Sequence, residues 1–476
     1  MAASRAPAAS RPTASQVRAS AGGATRPRFK AARIINPPLP SRSAAPQRPS
    51  PRHAVKRCIP GTHALAYTAR HAPARPPPVT PSARAQAAIE VLDAVLAAAR
   101  EGGAAADVVI ERYFQARRYA GSGDRRAVRE LAFAAIRAFG EPPPSGRAAL
   151  IGYAAAHQPE LFGLFGSGPH APAPLASGER EAAPLPHPLP RWLEPLFAEA
   201  FGAQAAPEAD ALLARAPLDL RANRLQGGRA AALAALPEAE PTPRAPDGLR
   251  LAAGTAIERH PAYLAGLVEV QDEGSQLAAL GAGAEPGMTV VDLCAGAGGK
   301  TLALAAAMAN AGRIVACDTD RRRLGQLGPR AARAGVTISE PRLLDPPREA
   351  AQLADLRGSA DLVLIDAPCS GSGTWRRNPE ARWRLTAPRL EQLAAVQARL
   401  LDLGSALVAP GGRLVYIVCS VLPSEGAQQA DAFPARAPGF APAPLGAPLA
   451  PSHAALLTPA RAGTDGFFIA AFAPIC

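Results

Sequence analysis

The stretch Thr289-Val290-Val291-Asp292-Leu293 runs directly into Cys294-Ala295-Gly296-Ala297-Gly298-Gly299-Lys300-Thr301, and this junction decides the fold. The first five residues are a short apolar run that reads as a buried strand at 289–293, and the residues after the glycines read as a helix at 301–309. Glycines at a strand-to-helix turn let the backbone approach a ligand at the open carboxyl end of a sheet. Asp318 ends the next strand, nineteen residues past Gly299, where a carboxylate can accept hydrogen bonds from ribose hydroxyls. Strand, loop, helix and spaced acid together predict a site for an adenosine-containing cofactor. Two look-alikes fall away. Gly299-Lys300-Thr301 imitates the end of a phosphate-binding P-loop, but that motif requires glycine where Cys294 stands. A nicotinamide dinucleotide suits the fold but leaves the downstream cysteines unexplained. Lys300 is the sole lysine in residues 57–476. In a chain that otherwise writes its cations as arginine, it suggests a need for a compact ammonium.

Working outward toward the C-terminus, apolar runs predict further strands at 313–317, 361–365, 412–418 and 467–472, with a helix at 389–408. Strands alternating with helices imply an α/β fold: a doubly wound, Rossmann-like, largely parallel sheet covered on both faces. Two of these strands are followed, just past their ends, by cysteines beside small polar residues. The first runs into Asp366-Ala367-Pro368-Cys369-Ser370-Gly371-Ser372-Gly373, and the second into Cys419-Ser420. The carboxyl ends of such strands converge on the ligand crevice. A single buried cysteine reads as a small hydrophobe, whereas two at adjacent strand ends, one beside Asp366, read as chemistry. Carbon 5 of a cytosine is too electron-poor to attack a methyl sulfonium unaided. Addition of a thiolate at carbon 6 makes carbon 5 nucleophilic, and a carboxyl group at the N3/N4 edge would stabilise the developing charge. A second thiol could then assist release of the product.

Toward the N-terminus, residues 191–270 read as a small mixed α/β unit that contains Leu220-Arg221-Ala222-Asn223, and 166–190 as a Pro/Gly-rich linker. Residues 84–165 carry helical periodicity, with Ile89, Leu92, Val95 and Leu96 on one face and Val109, Ile110, Tyr113 and Phe114 on another. Ala120-Gly121-Ser122-Gly123-Asp124 supplies caps for a third helix that turns Val128, Leu131, Ala135 and Phe139 inward. Residues 1–83 are rich in Pro, Ala, Ser and Arg without hydrophobic periodicity and are expected to be disordered. The net charge of +13 is concentrated there: residues 1–84 hold fifteen Lys or Arg and no acid, and the remainder has 37 basic against 39 acidic side chains. Three readings of this tail stand side by side: phosphate contact, an organelle transit peptide, and GC-rich coding bias with an over-long start.

The six cysteines have no paired short spacing, so neither a disulfide scaffold nor a zinc site is expected. No run approaches the ~20 apolar residues of a membrane span.

These residues resemble the Sun/RsmB family of RNA cytosine-5 methyltransferases. The carriers are Asp292–Thr301, Asp366–Gly373 followed by Arg376-Arg377-Asn378-Pro379-Glu380, and Tyr416-Ile417-Val418-Cys419-Ser420 with Glu425. Gln271-Asp272-Glu273-Gly274-Ser275-Gln276 and Asp465-Gly466-Phe467-Phe468 look like its flanking signatures. The likeness covers roughly Trp192 to the C-terminus, and the helical unit is similar to the NusB-like RNA-binding module of the RsmB branch. The resemblance implies a catalytic domain at 271–476 that uses S-adenosylmethionine. The contacts it implies are Cys294, Ala295, Gly296, Ala297, Gly298, Gly299, Lys300, Asp318, Asp345 and Asp366, Asp345 being singled out by family spacing alone. It implies Cys419 as nucleophile and Cys369 as the release cysteine, with Asp366 beside the base. DNA cytosine-5 methyltransferases attack instead with the cysteine of a Pro-Cys dipeptide, which here would be Cys369. This chain departs from the family pattern at Gly296-Ala297, where Ala-Pro is usual, at Val418 for Thr, and at Gly426 for Asn.

The expected partner is therefore RNA, foremost 16S ribosomal RNA, with no metal and no membrane, for a monomer in the cytoplasm (in an organelle if the tail is a transit peptide). The alternatives are the same chemistry on transfer RNA or another ribosomal site, or a catalytically weak RNA-binding ribosome-assembly factor.

Overall fold

A computed structural model describes residues 79–475; the predicted tail, up to residue 78, lies outside the described residues. Helix α1 (Pro81–Arg100) begins three residues before the expected boundary, because Thr80 caps it through the amide of Ala83 and Pro81 has the fixed φ of a first helical position. With α2 (Ala106–Gln115), α3 (Ser122–Ala138) and α4 (Gly146–His157) it forms an all-helical unit around Leu92, Val95, Ile110, Ala132, Ile136 and Leu150. The expected cap of α3 is present: Asp124 accepts from the amide of Gly121 at 3.3 Å. The segment after it has little regular structure. Even so, Leu175 and Ala183 pack on the helices, and near its far end His187 O accepts from Gly140 N–H while His187 N–H donates to Ala138 O.

The next unit holds α5 (Glu194–Phe201), α6 (Ala205–Leu213), α7 (Gly228–Ala235) and the short α8 (Pro261–Leu264). Its strands are β1 (Leu218–Ala222), β2 (Glu240–Pro241), β3 (Gly248–Leu251) and β4 (Val268–Val270), which pair antiparallel in the order β2-β3-β1-β4. Asn223 ends β1 and donates to Gly266 O and Ala334 O, tying this sheet to the domain that follows.

That domain contains α9 (Glu273–Gly281), β5 (Thr289–Asp292), α10 (Gly299–Ala307), β6 (Arg313–Asp318), α11 (Arg321–Leu324), α12 (Leu327–Ala334), β7 (Ser339–Leu343) and α13 (Glu349–Gln352). It continues with β8 (Ala360–Asp366), α14 (Ala387–Ser405), β9 (Val408–Val418), α15 (Ala427–Arg436), β10 (Phe440–Pro442), β11 (Ala454–Leu457), α16 (Pro459–Ala462) and β12 (Phe467–Pro474). The strand order is β10-β12-β9-β8-β5-β6-β7, and β11 also pairs with β12. The run from β9 to β7 is parallel, while β12 lies antiparallel to β9 and β10 and β11 antiparallel to β12. Consecutive strand residues feed opposite faces. Val290, Ile314, Leu362 and Leu364 pack toward α9, α10 and α12, whereas Val291, Val315, Val363 and Ile365 pack toward α14 and α15. From β5 the chain goes to β6 on one side, and β8 flanks it on the other. The carboxyl end of β5 is thus the switch point at which such sheets open a crevice.

Candidate active site

The loop after β5 is shaped by its glycines. Gly296 and Gly298 have φ of +56° and +86°, a region that disfavours side chains. A Cβ on Gly296 would lie 2.5 Å from the Arg323 guanidinium. At Gly299, by contrast, a Cβ would meet nothing within 4 Å, so the loop faces open space there. Asp318, at the end of β6, accepts from the amides of Gly296 and Asp320, each at 2.7 Å. The predicted ribose acceptor thus also holds the loop in place. Asp292 is fully buried, bonded to Thr301 Oγ1 at 2.7 Å, and its other oxygen has no partner. Burial, with Asp366 and Asp318 nearby, pushes it up to about 7 against the Thr301 bond and the Lys300 charge. Lys300 reaches across from α10 to Asp366 at the end of β8, 2.7 Å away, with its ammonium 5.2 Å from the centre of the Phe467 ring.

The crevice therefore carries Asp366, paired with Lys300, and Asp318 at the ends of their strands, over the buried Asp292. A pyrophosphate would meet repulsion here. The net-positive sulfonium and amino group of S-adenosylmethionine, and its ribose diol, fit this donor set. Cys294 packs against the sheet, and its thiol is pushed well above the ordinary range by burial; Cys317, in β6, is pushed to about 12. Asp345 stands apart: it is exposed beyond the end of β7, and its carboxylate meets Gln352 at 3.2 Å.

The two predicted cysteines are brought together. Cys369, after β8, and Cys419, after β9, approach to 3.3 Å between sulfurs and are both part-exposed. The hydrogen bond with Cys419, and then burial, push the Cys369 thiol well above its ordinary range. Neighbouring loops are locked by Gly373, which donates to Cys419 O at 3.0 Å and accepts from Gly466 N–H at 2.8 Å. Arg377 bridges Asp272 at 2.8 Å and Asp465 at 2.6 Å. Burial and Asp272 push Asp465 up to about 7, against the two arginines.

Sequence reasoning missed two features. The first is the polar network around Glu425, a residue it quoted only as part of a motif. The second is the 3₁₀ turn Pro379–Arg384, which plugs into the helical unit. Glu380 accepts from the amide of Ala106, Trp383 Nε1 donates to Phe139 O at 2.8 Å, and Arg382 Nη2 donates to Ile136 O at 2.9 Å. The available signal was Trp383 itself, a large apolar residue with no helix or strand around it to bury it.

Among the described residues no group of His, Cys, Asp or Glu is arranged to hold a metal ion, and no helix is long and apolar enough to cross a membrane.

Residues 282–473 match the family described as 16S rRNA methyltransferase RsmB/F, and residues 189–258 match the ferredoxin-like domain of RsmF/B-like methyltransferases. The "Ribosomal RNA small subunit methyltransferase B" of Sodalis glossinidius is 34% identical over 307 residues, which cover 63% of this chain and 68% of that protein. Its namesake from Salmonella arizonae is 34% identical over 285 residues, 59% of this chain and 65% of that protein. The chain thus spans about two thirds of the length of these curated relatives. Among solved structures, PH0851 aligns with a TM-score of 0.66 at 24% identity over 82% of this chain and 98% of its own, a likeness of fold. A methyltransferase homologue from Pyrococcus horikoshii aligns at 0.50 and 27% identity over 59% and 94%.

Proposed function

The chain belongs to the RsmB/F family of 16S ribosomal RNA methyltransferases, and from that premise we propose that it methylates carbon 5 of a cytosine in RNA, 16S ribosomal RNA foremost. S-adenosylmethionine supplies the methyl group as an electrophilic sulfonium. Asp318, Asp366 and the amides of the Cys294–Lys300 loop would hold it at the switch point, with Asp345 at the margin. The observation that carries the reading is the pair of thiols 3.3 Å apart, past the ends of neighbouring strands, one of which ends in Asp366.

In this reading Cys419 attacks carbon 6 of the base. The thiolate is the attacking form, and the Cys369 sulfur lies 3.3 Å from the attacking one. Asp366, held by Lys300, accepts from or donates to the N3/N4 edge of the base as charge develops there. After methyl transfer the carbon-5 proton passes to the Cys369 sulfur, which has to be a thiolate at that stage, and the carbon 5–carbon 6 double bond re-forms as the bond to Cys419 breaks and its sulfur leaves as a thiolate. The cytosine has to be unpaired or flipped out to sit between both thiols. The helical unit, similar to a NusB-like module, would contribute RNA contacts.

The test is a denaturing gel of each cysteine variant incubated with 16S RNA and S-adenosylmethionine. Cys419→Ala should abolish methylation and any covalent species. Cys369→Ala should attack and then stall as a denaturant-resistant protein–RNA complex. The opposite pattern would assign the attack to Cys369, and no complex with either variant would remove the covalent step.

A further inference from the structure

Each of the two cysteines is followed by a serine, and both serines converge on one carboxylate. Glu425 is fully buried. Its Oε1 accepts from the Ser370 amide at 2.8 Å and from Gln397 Nε2 at 3.1 Å, and its Oε2 accepts from the Ser370 hydroxyl at 2.5 Å and the Ser420 hydroxyl at 2.6 Å. Two bonds to each oxygen fill the acceptor capacity of a carboxylate. Gln397, on α14, also donates to Pro368 O at 2.9 Å, so the network grips both sides of Cys369. Tyr416 donates to the Glu425 carbonyl at 2.5 Å and fixes that residue to β9, the strand that leads into Cys419. Ser372 joins the same network through Ser420 at 2.9 Å. Among the described contacts, no Lys or Arg pairs with this carboxylate. It is held by neutral donors alone, an arrangement that costs more than burying an amide.

We propose that Glu425 is a positioning residue, a clamp that holds the Cys369 and Cys419 loops together and so sets the spacing of the two thiols. It touches neither thiol and acts through Ser370 and Ser420. The proposal builds on the reading that both cysteines serve one base, but the spacing can be measured without RNA or cofactor.

The experiment is oxidative closure of the Cys369–Cys419 pair in the full-length protein by diamide. The two thiols lose two electrons and two protons to form the disulfide, and diamide takes up both to become its hydrazine. Closure is followed by peptide mass spectrometry, alongside the thermal midpoint of each variant. Misplacing reacting atoms by about 1 Å can cost on the order of 100-fold in rate, so Glu425→Ala should close at least ~10-fold more slowly than the wild type. Glu425→Gln retains an acceptor for the Ser370 amide, and the serine hydroxyls can turn to accept from its amide group, so it should recover most of that rate. If Glu425→Ala does not fold, Ser420→Ala decides, because it unties the Cys419 side alone and should also slow closure. In RNA methylation, the slowed variants should lose kcat while KM for S-adenosylmethionine and for RNA stays near the wild-type value. A folded Glu425→Ala or Ser420→Ala protein that closes its disulfide at the wild-type rate overturns the clamp. A wild type that closes rapidly yet methylates no RNA leaves the clamp standing and refutes the proposed reaction instead.

Discussion

Gly373 offers a test in which the expected sign depends on the tertiary structure alone. It lies in a short 3₁₀ turn, Ser372–Thr374, and on local grounds replacing it with alanine should stabilise the protein by ~0.4–1 kcal/mol, because the unfolded chain loses freedom. The structure predicts the reverse. A Cβ on Gly373 would lie 2.0 Å from Gly466 O and 2.6 Å from Gly466 C. The obstacle is backbone, so relief requires the two loops to part by about 1.4–2 Å to reach ordinary contact. Parting breaks or strains the bonds of Gly373 N–H to Cys419 O and of Gly466 N–H to Gly373 O, 3.0 and 2.8 Å long. A buried polar group left unsatisfied costs ~1–3 kcal/mol, so Gly373→Ala should destabilise by about 2–6 kcal/mol. At roughly 2–4 °C per kcal/mol for a domain of this size, the thermal midpoint should fall by at least ~4 °C. Differential scanning fluorimetry on the purified protein measures it, and methylation should fall together with stability because the Cys419 carbonyl is one of the displaced partners. A midpoint that is unchanged or raised would show that the Gly373–Gly466 crossing is looser than described, and would remove the argument that it braces the thiol pair.

Burial pushes the Asp292 carboxyl up to about 7, well above its ordinary 3.8, so the folded form binds its proton more tightly. The stability this gives is full below about pH 4 and is lost as pH rises toward 7. Asp292→Asn keeps the shape without the titration, so its stability relative to wild type should improve across that window by as much as ~4 kcal/mol and then level off. Urea melts in a pH series showing a flat difference would refute the burial argument. Asp318→Ala removes the acceptor that holds Gly296 and that we propose for the ribose, and calorimetry should show S-adenosylmethionine binding weakened by ~1–3 kcal/mol, five- to over a hundredfold. Undiminished affinity would place the cofactor elsewhere. Trp383→Ala empties a site in the core of the helical unit, a change worth ~3–5 kcal/mol for a buried aromatic. Hydrogen exchange should rise in α1 and α3 and stay unaltered in β5 and β8; uniform protection would show that the turn is not what holds the helical unit on.

The parts of this molecule legible in the sequence are those specified by residues close together in the chain. The strands β5, β6 and β8 are unbroken apolar runs that could only be buried on both faces, and the structure places them within a residue or so of the expected positions. The Gly296–Lys300 loop could be read because positive φ and close approach demand glycine, and α3 because Asp124 caps it locally. Strand β7, Ser339-Glu340-Pro341-Arg342-Leu343, went unseen: it is an edge strand in which Glu340 and Pro341 are exposed, so it carries no apolar signature. The short strands β10 and β11 are likewise defined by pairing with β12 and not by their own composition. Tertiary structure alone brings Cys369 within 3.3 Å of Cys419 across fifty residues of chain, directs Glu425 at both serines, and seats Trp383 among helices more than two hundred residues upstream. It also leaves Asp345 exposed, bonded to Gln352. Backbone preference and burial act along a few residues and leave their mark in the sequence. The choice of which strand ends become neighbours is made by the order in which the sheet assembles, and a carboxylate's partners are chosen only once that packing has closed around it.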